Sequence, residues 1–257
     1  MTAMADRREQ PTGTETGVDT PSRDKVWEMF DRVAPTYDRL NRMLSLGCDI
    51  GWRRRLARRM PSAGTPAVLD LATGTADILL TLARSGKLHL GVGLDMAEVM
   101  LRRGHDKITA RRLAGRLSLV RGNAGELPFA SGAFDAVTIA FGIRNFDDIG
   151  KSLQEIARVL RPGGALLILE FSLPSNAVVR PLYLFYLRHI LPLVGRLISG
   201  DAFAYRYLDR TIETFPYGRE FCRLMEKAGF VGTHHEPLTL GVATLYQGNK
   251  PTGEKRL

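Results

Sequence analysis

The strongest constraint on the fold is a short apolar segment that ends in an acid and is followed by a tight turn, a helix and a second such segment. The first segment ends at Asp70, the turn contains Thr73, Gly74 and Thr75, and the second segment ends at Asp95. This pattern predicts a strand–helix–strand unit. An acid at the end of the second strand can accept hydrogen bonds from a ribose diol, so the unit predicts a nucleoside-containing ligand.

The turn contains a single glycine, Gly74. The dinucleotide fingerprint has three glycines, which admit a pyrophosphate onto the N-terminus of a helix. Thr73, Thr75 and Ala76 occupy the neighbouring positions here. The turn therefore favours a cofactor with a nucleoside and no phosphate, such as S-adenosylmethionine. An ordinary α/β turn without a ligand is the alternative for this motif taken alone.

Strand and helix patterns alternate through the middle of the chain. We expect strands near residues 67–71, 90–94, 117–121, 134–140 and 164–170, and helices near 76–85, 97–113 and 148–160. Such alternation indicates a mostly parallel sheet with helices on both faces. A further strand at 242–246 should complete the sheet. With 257 residues and 44% hydrophobic content, the chain can form one domain with embellishments.

The N-terminal region divides into a tail and a helical segment. Residues 1–23 are polar, without periodicity, and predicted to be disordered. Helical periodicity begins at Lys25 and is interrupted by Pro35, and a further helix is expected from Asn41 to Met60 with a break at Gly47. We therefore place a single domain at 24–257, with a helical segment at 24–62.

Charge and cysteine content restrict the partners and the compartment. The net charge of +9 is compatible with binding to nucleic acid, with binding to an anionic membrane, or with neither. Because no basic and aromatic recognition element is apparent, we do not expect nucleic-acid binding. The five arginines within Arg53–Arg59 are most simply a solvated helix face. Cys48 and Cys222 are isolated, which disfavours a disulfide framework or a metal site and suggests a cytoplasmic location.

Residues with candidate roles follow the later strands at the same predicted edge of the sheet, where open α/β sheets bind ligands. Asn123 and Ala124 follow the third strand and could contact an adenine ring. Arg144 and Asn145 follow the fourth strand, and Glu170 ends the fifth. These positions predict one crevice shared with Gly74 and Asp95.

The segment 178–198 is strongly hydrophobic but contains two prolines and three arginines, Arg180, Arg188 and Arg196. The prolines and arginines argue against a transmembrane helix. The spacing of eight residues places the arginines near one helical face, as in an interfacial helix. Packing on the core as a lid and peripheral contact with an anionic membrane, at its inner face, both agree with this pattern.

Several segments, in this order and spacing, resemble class I S-adenosylmethionine-dependent methyltransferases: Asp70–Asp77, Asn123–Phe129, Phe141–Asn145 and Leu160–Gly164. Phe30–Asp38 and Asp201–Leu208 narrow the resemblance to the ubiquinone/menaquinone biosynthesis C-methyltransferase family, over roughly residues 25–249. The resemblance implies a Rossmann-like α/β fold with a final antiparallel strand. It also implies an N-terminal helical lid at 24–62 and a helical insertion at 174–218 after the fifth strand.

The resemblance further implies methyl transfer from S-adenosylmethionine to a ring carbon of a polyprenylated quinol. Demethylmenaquinol is the simplest acceptor, and the benzoquinol of ubiquinone biosynthesis stays open. The family's cofactor positions match Thr75, Asp95, Asn123 and Ala124, while Asp70 and Gly74 form the turn. Ala140 stands where the family often has serine, so this position can contribute only its backbone.

A sulfonium methyl is already electrophilic, so the protein mainly has to align it and exclude water, and no metal is required. The quinol hydroxyl must lose a proton, and its pKa resembles that of tyrosine, about 10. We assign Arg144 to stabilising the phenolate or polarising a water, Asn145 to orienting that water or a quinol oxygen, and Tyr37 to completing the network. The alternative for Arg144 is a surface pair with Asp147 or Asp148.

Three rival functions remain open from the sequence. They are a nicotinamide-dependent oxidoreductase, a nucleic-acid methyltransferase and a non-enzymatic lipid-binding protein. The glycine-poor turn disfavours the first, and the missing basic recognition element disfavours the second. The length of the prenyl tail and the choice between monomer and homodimer are undetermined.

Overall fold

The computed structural model describes residues 26–61, 66–193 and 202–253, so the predicted disordered tail at 1–23 lies outside the described residues. The strands are β1 (Ala67–Leu71), β2 (Leu90–Asp95), β3 (Leu117–Arg121), β4 (Phe134–Ala140), β5 (Leu160–Phe171), β6 (Val231–Leu238) and β7 (Ala243–Asn249). The helices are α1 (Val26–Val33), α2 (Tyr37–Leu44), α3 (Cys48–Arg59), α4 (Asp77–Arg84), α5 (Glu98–Ala110), α6 (Ile149–Val159), α7 (Val179–Phe185), α8 (Ala202–Thr214) and α9 (Arg219–Lys227).

The seven strands form one sheet in the order β3-β2-β1-β4-β5-β7-β6. Strands β1 to β5 pair in parallel, and β7 runs antiparallel to both of its neighbours. The predicted Rossmann-like, mostly parallel sheet with a reversed strand near its end is therefore confirmed. The strand order reverses between β1 and β4, and ligands of such sheets bind outside the carboxyl ends of the strands at this point.

The central strands are apolar because both faces of the sheet are covered by helices. Residues Ala136, Val137 and Ile139 of β4 are completely buried, as is typical of parallel strands. Helix α6 buries Leu153 and Ile156 on one face, at the period expected of an amphipathic helix. Strand β6 was not predicted, because most of its side chains are exposed or half-buried and give no apolar alternation.

Strand β5 begins at Leu160, four residues before the predicted start at 164. Leu160 pairs with Phe134 and Ala165 with Ala136, so the register shifts between these two pairs. The segment from Arg161 to Gly164 is this irregular part of the strand. Gly163 has a φ of 77°, which glycine adopts without strain.

The N-terminal segment forms three helices, and both predicted breaks are confirmed. Helix α1 ends before Pro35 and α3 begins after Gly47, which has a φ of 78°. Helix α2 begins at Tyr37, earlier than the predicted Asn41. Asp31 of α1 accepts a hydrogen bond of 2.8 Å from the backbone N–H of Val99, in the first turn of α5. This contact fixes the segment beside the carboxyl ends of β1 and β2.

The arginine run on α3 is largely exposed, and three of its arginines pair with acids. Arg53 is buried and paired with Asp49, and Arg55 and Arg59 both bind Glu236 of β6, at 2.7 and 2.8 Å. Of the five arginines, Arg54 and Arg58 are exposed without a pairing partner among the described residues. Arg59 is also exposed and Arg55 is half-buried, so the expected solvated face is wrong only for Arg53.

The hydrophobic insertion is helical from Val179 and passes through a π-helical turn at Tyr186–Ile190. Arg180 and Arg188 are exposed, and Arg188 forms a salt bridge with both carboxylate oxygens of Glu213 of α8. Arg196, the third arginine of the predicted face, lies outside the described residues. Within the described parts of the chain, no helix is long and apolar enough to cross a membrane.

The buried carboxylate of Asp70 connects the end of β1 to the following turn and to β4 by hydrogen bonds. Its two oxygens accept hydrogen bonds from the hydroxyls of Thr73, at 2.7 Å, and Thr138 of β4, at 2.6 Å. Burial raises the pKa of Asp70 from 3.8 to about 7, against the effect of the two hydroxyls. The native protein therefore holds a proton here more tightly than the unfolded chain does.

We expect Asp70→Asn to remove part of the pH dependence of stability. Because the folded pKa lies above the unfolded one, the native state is favoured at low pH, and this contribution is lost as the pH rises through about 7. From about pH 5 to about pH 8, the free energy of unfolding should fall by about 2 kcal/mol more in the wild type than in the variant. Urea titrations at each pH measure the free energy of unfolding, with Asp135→Asn as the control. Equal pH slopes would contradict the buried-acid interpretation.

Candidate active site

A cavity of about 290 Å³ opens at the carboxyl ends of β1, β2 and β4, where the sheet order reverses. Seven of the ten predicted site residues line it: Tyr37, Gly74, Asp95, Asn123, Ala124, Ala140 and Asn145. The rest of the wall is largely apolar and includes aromatic residues of α1 and of the loop after β4: Trp27, Phe30, Phe141 and Phe146. The other three predicted residues, Asp70, Thr75 and Arg144, do not line the cavity.

The acid at the end of β2 is held by the turn after β1. Asp95 accepts hydrogen bonds from the backbone N–H of Gly74, at 2.8 Å, and of Ala97, at 2.9 Å, one on each carboxylate oxygen. Burial raises its pKa, and these N–H groups oppose the rise. Since each carboxylate oxygen has a second lone pair, Asp95 can still accept hydrogen bonds from a ribose diol.

The loops after β1 and β4 pack against each other. A Cβ atom at Gly142 would overlap with the side chain of Ala72, so only glycine fits at this point. Ala72 and Phe141 have positive φ angles of 49° and 60°, which are unfavourable for residues with a side chain. Ala72, Phe141 and Gly142 all line the cavity, and their contact sets the position of the residues that follow Gly142.

The hydroxyl of Thr75, a predicted cofactor contact, instead belongs to a polar network that joins the turn to α2. It donates to Asp38, at 2.7 Å, and accepts from Lys107 of α5, at 2.8 Å. Lys107 also pairs with Asp38 and with Asp77, at 2.6 and 2.8 Å. Burial opposes ionisation of Asp77, but Arg53 and Lys107 together hold its pKa below the usual range. Asp77 therefore pairs with the side chains of Lys107 and Arg53, and no side chain among the described residues caps the N-terminus of α4.

Lys107 was not identified from the sequence. It lies 32 residues from Thr75 on a helix rich in charged residues, so no local pattern marks it. Its contact with Asp38 anchors α2, which carries Tyr37 to the cavity wall. Burial raises the pKa of Tyr37, and the charge of Arg144 acts in the opposite direction.

Asn145 lies in the short helical turn after β4 and lines the cavity. Its side-chain oxygen accepts a hydrogen bond of 3.2 Å from the hydroxyl of Tyr207, on helix α8 of the insertion. Tyr207 was not singled out from the sequence, although it lies within the family-like segment Asp201–Leu208. The insertion thus contributes a contact to the edge of the cavity.

Arg144 is buried beside the cavity wall, and the alternative of a surface pair with Asp147 or Asp148 is wrong. One guanidinium nitrogen, Nη1, donates to Glu170 of β5 at 2.5 Å and to the carbonyl oxygen of Phe141 at 2.7 Å. The Nε–H is buried and has no hydrogen-bond partner among the described residues. The cation therefore lies behind Phe141, and only its Nη1 donors are used among the described residues.

Comparison with known proteins agrees with this geometry. A profile of the ubiE/COQ5 methyltransferase family matches residues 19–250. The ubiquinone/menaquinone biosynthesis C-methyltransferase UbiE of Geotalea daltonii is 42% identical, over 90% of this chain and 98% of the relative. The demethylmenaquinone methyltransferase of Thermus thermophilus is 45% identical, over 87% and 100%.

Among solved structures, the [4+2]-cyclase SpnF shares the fold, with a TM-score of 0.64 over 91% of this chain and 97% of that one. At 17% sequence identity, this likeness concerns the architecture alone. The two curated relatives are similar along nearly their whole length, and the profile spans the N-terminal helices, the sheet and the insertion. The chain belongs to the ubiE/COQ5 methyltransferase family.

Proposed function

We propose that this protein transfers a methyl group from S-adenosylmethionine to a ring carbon of a polyprenylated quinol, with demethylmenaquinol as the first acceptor to test. The observation that carries the proposal is the cavity at the reversal of strand order. It brings together residues from the ends of β1, β2 and β4, the loop after β3, and the N-terminal helix α2. The names of the two relatives support the choice of quinol.

The residues around the cavity suit a cofactor with a nucleoside and no phosphate. Asp95 would hold the ribose, the backbone at Gly74 would approach the ligand closely, and Asn123 and Ala124 would contact the adenine. Gly74 has a φ of 54°, and a Cβ there would meet no atom within 4 Å, so the turn is open towards a ligand. When bound, S-adenosylmethionine supplies an electrophilic methyl group on a cationic sulfur.

We expect Asp95→Ala to weaken cofactor binding by about 10- to 100-fold, since charge-assisted hydrogen bonds to the ribose would be lost. Isothermal titration calorimetry with S-adenosylmethionine measures the change. Asp147→Ala is the matched control, because Asp147 also lines the cavity but is exposed. Unchanged affinity in Asp95→Ala would rule out the ribose assignment, and tight binding of NAD by the wild type would favour an oxidoreductase.

The acceptor side of the reaction requires a group that stabilises the quinol oxyanion. Arg144 remains cationic and has an unused Nε–H, and its neighbour Asn145 lines the cavity. We assign Arg144 to stabilising the oxyanion directly or through a water, and Asn145 and Tyr37 to orienting the ring oxygen. The aromatic wall around Phe30 and Phe141 excludes water from the transfer.

We expect Arg144→Ala to lower kcat for methyl transfer to a short-chain demethylmenaquinol by about 100-fold or more, because the developing negative charge loses its cation. Transfer of a labelled methyl group measures kcat, and calorimetry checks that cofactor affinity is retained. Arg161→Ala removes a surface arginine paired with Asp135 and should leave kcat unchanged. Undiminished transfer in Arg144→Ala would remove this residue from the mechanism. Parallel assays with the demethylated benzoquinol distinguish the two acceptors.

The prenyl tail of the acceptor needs an apolar route, and we propose that the insertion supplies it by peripheral contact with an anionic membrane. Leu182 and Phe185 of α7 are 67% and 56% exposed, and Val178 and Leu193 are also exposed. Arg180 is exposed on the same helix. An exposed apolar face beside a cation is typical of a helix that lies in the interface of a bilayer.

We expect the wild type to float with vesicles of phosphatidylcholine and phosphatidylglycerol at low salt. The double variant Leu182→Ser and Phe185→Ser should lose this association, because the exposed apolar area that enters the lipid is removed. The same variant should keep its kcat with a short-chain quinol, which separates membrane contact from catalysis. Absence of wild-type flotation at low salt would reject the peripheral contact.

A further inference from the structure

The carboxylate of Glu170, at the end of β5, is completely buried. It accepts hydrogen bonds from Nη1 of Arg144 at 2.5 Å and from the backbone N–H of Phe171 at 2.8 Å, with the backbone N–H of Arg144 at 3.4 Å. Burial of an ion pair of this kind gives little net stability compared with apolar side chains of similar size. A role in placing Arg144 accounts better for the charge at this position.

The contacts of Arg144 are concentrated at one end of its guanidinium group. Nη1 is used twice, by Glu170 and by the carbonyl oxygen of Phe141, and the ring of Phe171 lies 5.4 Å from the guanidinium carbon. Because the guanidinium group is planar and rigid, fixing Nη1 also fixes the direction of the Nε–H. That Nε–H is the buried donor of Arg144 without a partner among the described residues.

A buried donor on a side chain this strongly anchored is available to an acceptor such as a water or a ligand oxygen. Gly142 and Asn145, which flank Arg144 in the chain, both line the cavity. The loop after β4 cannot shift freely, since Gly142 is packed against Ala72. Both the backbone and the guanidinium group of Arg144 are therefore held in one place, the first by this packing and the second by Glu170.

We propose that Glu170 is a positioning residue for methyl transfer. Its carboxylate holds the guanidinium group of Arg144 so that the free Nε–H is directed to the quinol oxygen or to the water that bridges to it. This inference rests on the proposed function and extends it to a residue that itself does not line the cavity. Glu170 acts on the reaction through Arg144 alone.

The test is Glu170→Gln, which preserves the shape of the side chain and removes its charge. We expect kcat with a short-chain demethylmenaquinol to fall about 10- to 100-fold, because a small displacement of Arg144 suffices to lower the rate. The KM for quinol and the calorimetric Kd for S-adenosylmethionine should change by less than about threefold, since Glu170 touches neither ligand. Glu236→Gln, the same change beside Arg55 and Arg59, is the control and should leave kcat unchanged.

A double-mutant cycle separates positioning from a general structural role. In an Arg144→Ala background, Glu170→Gln should have less than a twofold further effect on kcat, because the group that it positions is absent. A loss of the same size in both backgrounds, or an unchanged kcat in the single variant, would overturn the proposal. If Glu170→Gln fails to bind the cofactor, Glu170→Asp decides: a lowered kcat with unchanged Kd supports the proposal, and wild-type kcat overturns it.

Failure of the proposed function gives a different result. A wild type that binds S-adenosylmethionine and methylates neither quinol overturns the function and this inference together. A wild type that methylates a quinol while Glu170→Gln retains full kcat overturns the positioning role alone.

Discussion

The contact between the loops that follow β1 and β4 is the constraint on which the rest of the site depends. These two strands pair in parallel, from Val68 with Ala136 to Leu71 with Ile139, so their carboxyl ends leave the sheet side by side. Both loops turn sharply after their strands, with unfavourable positive φ angles at Ala72 and Phe141. The two loops contact each other where Gly142 packs against Ala72. The space between these loops and β2 is the cavity. A substitution that moved either loop would displace Asn145 and Arg144 relative to Asp95.

Carboxylates in and beneath the cavity wall stabilise this arrangement, because each one is bound by a group from another element. Asp70 of β1 binds the hydroxyl of Thr138 of β4, and Glu170 of β5 binds Arg144 from the loop after β4. Asp95 of β2 binds the turn after β1. Removing any one partner would leave a charge or a polar group buried without compensation, which is more costly than the original pair. The strand ends are therefore fixed in position by polar groups as well as by apolar packing.

The sequence predicted those features that depend on local patterns. Apolar runs placed β1 to β4 within one residue of their observed bounds, and seven of the ten predicted site residues lie in the cavity wall. Contacts between distant residues could not be predicted, because nothing near either partner marks them. Tyr207 and Asn145 are separated by 62 residues, and Asp31 and Val99 by 68. Glu170 was expected at the crevice but is completely buried outside the cavity wall, and its partner became evident only when β4 and β5 were paired.

The arginines of α3 show why net charge is a poor guide to a binding surface in this protein. Counted along the sequence, the run from Arg53 to Arg59 suggests a basic patch that could attract lipid or nucleic acid. In the fold, Glu236 pairs with two of these arginines and offsets one of their two charges, and a third arginine is buried with Asp49 against the ring of Phe141. The partners lie on β6, which has no apolar pattern, and at the start of α3 itself. The exposed apolar side chains of α7 and the adjacent Arg180, and not the arginines of α3, therefore support membrane contact.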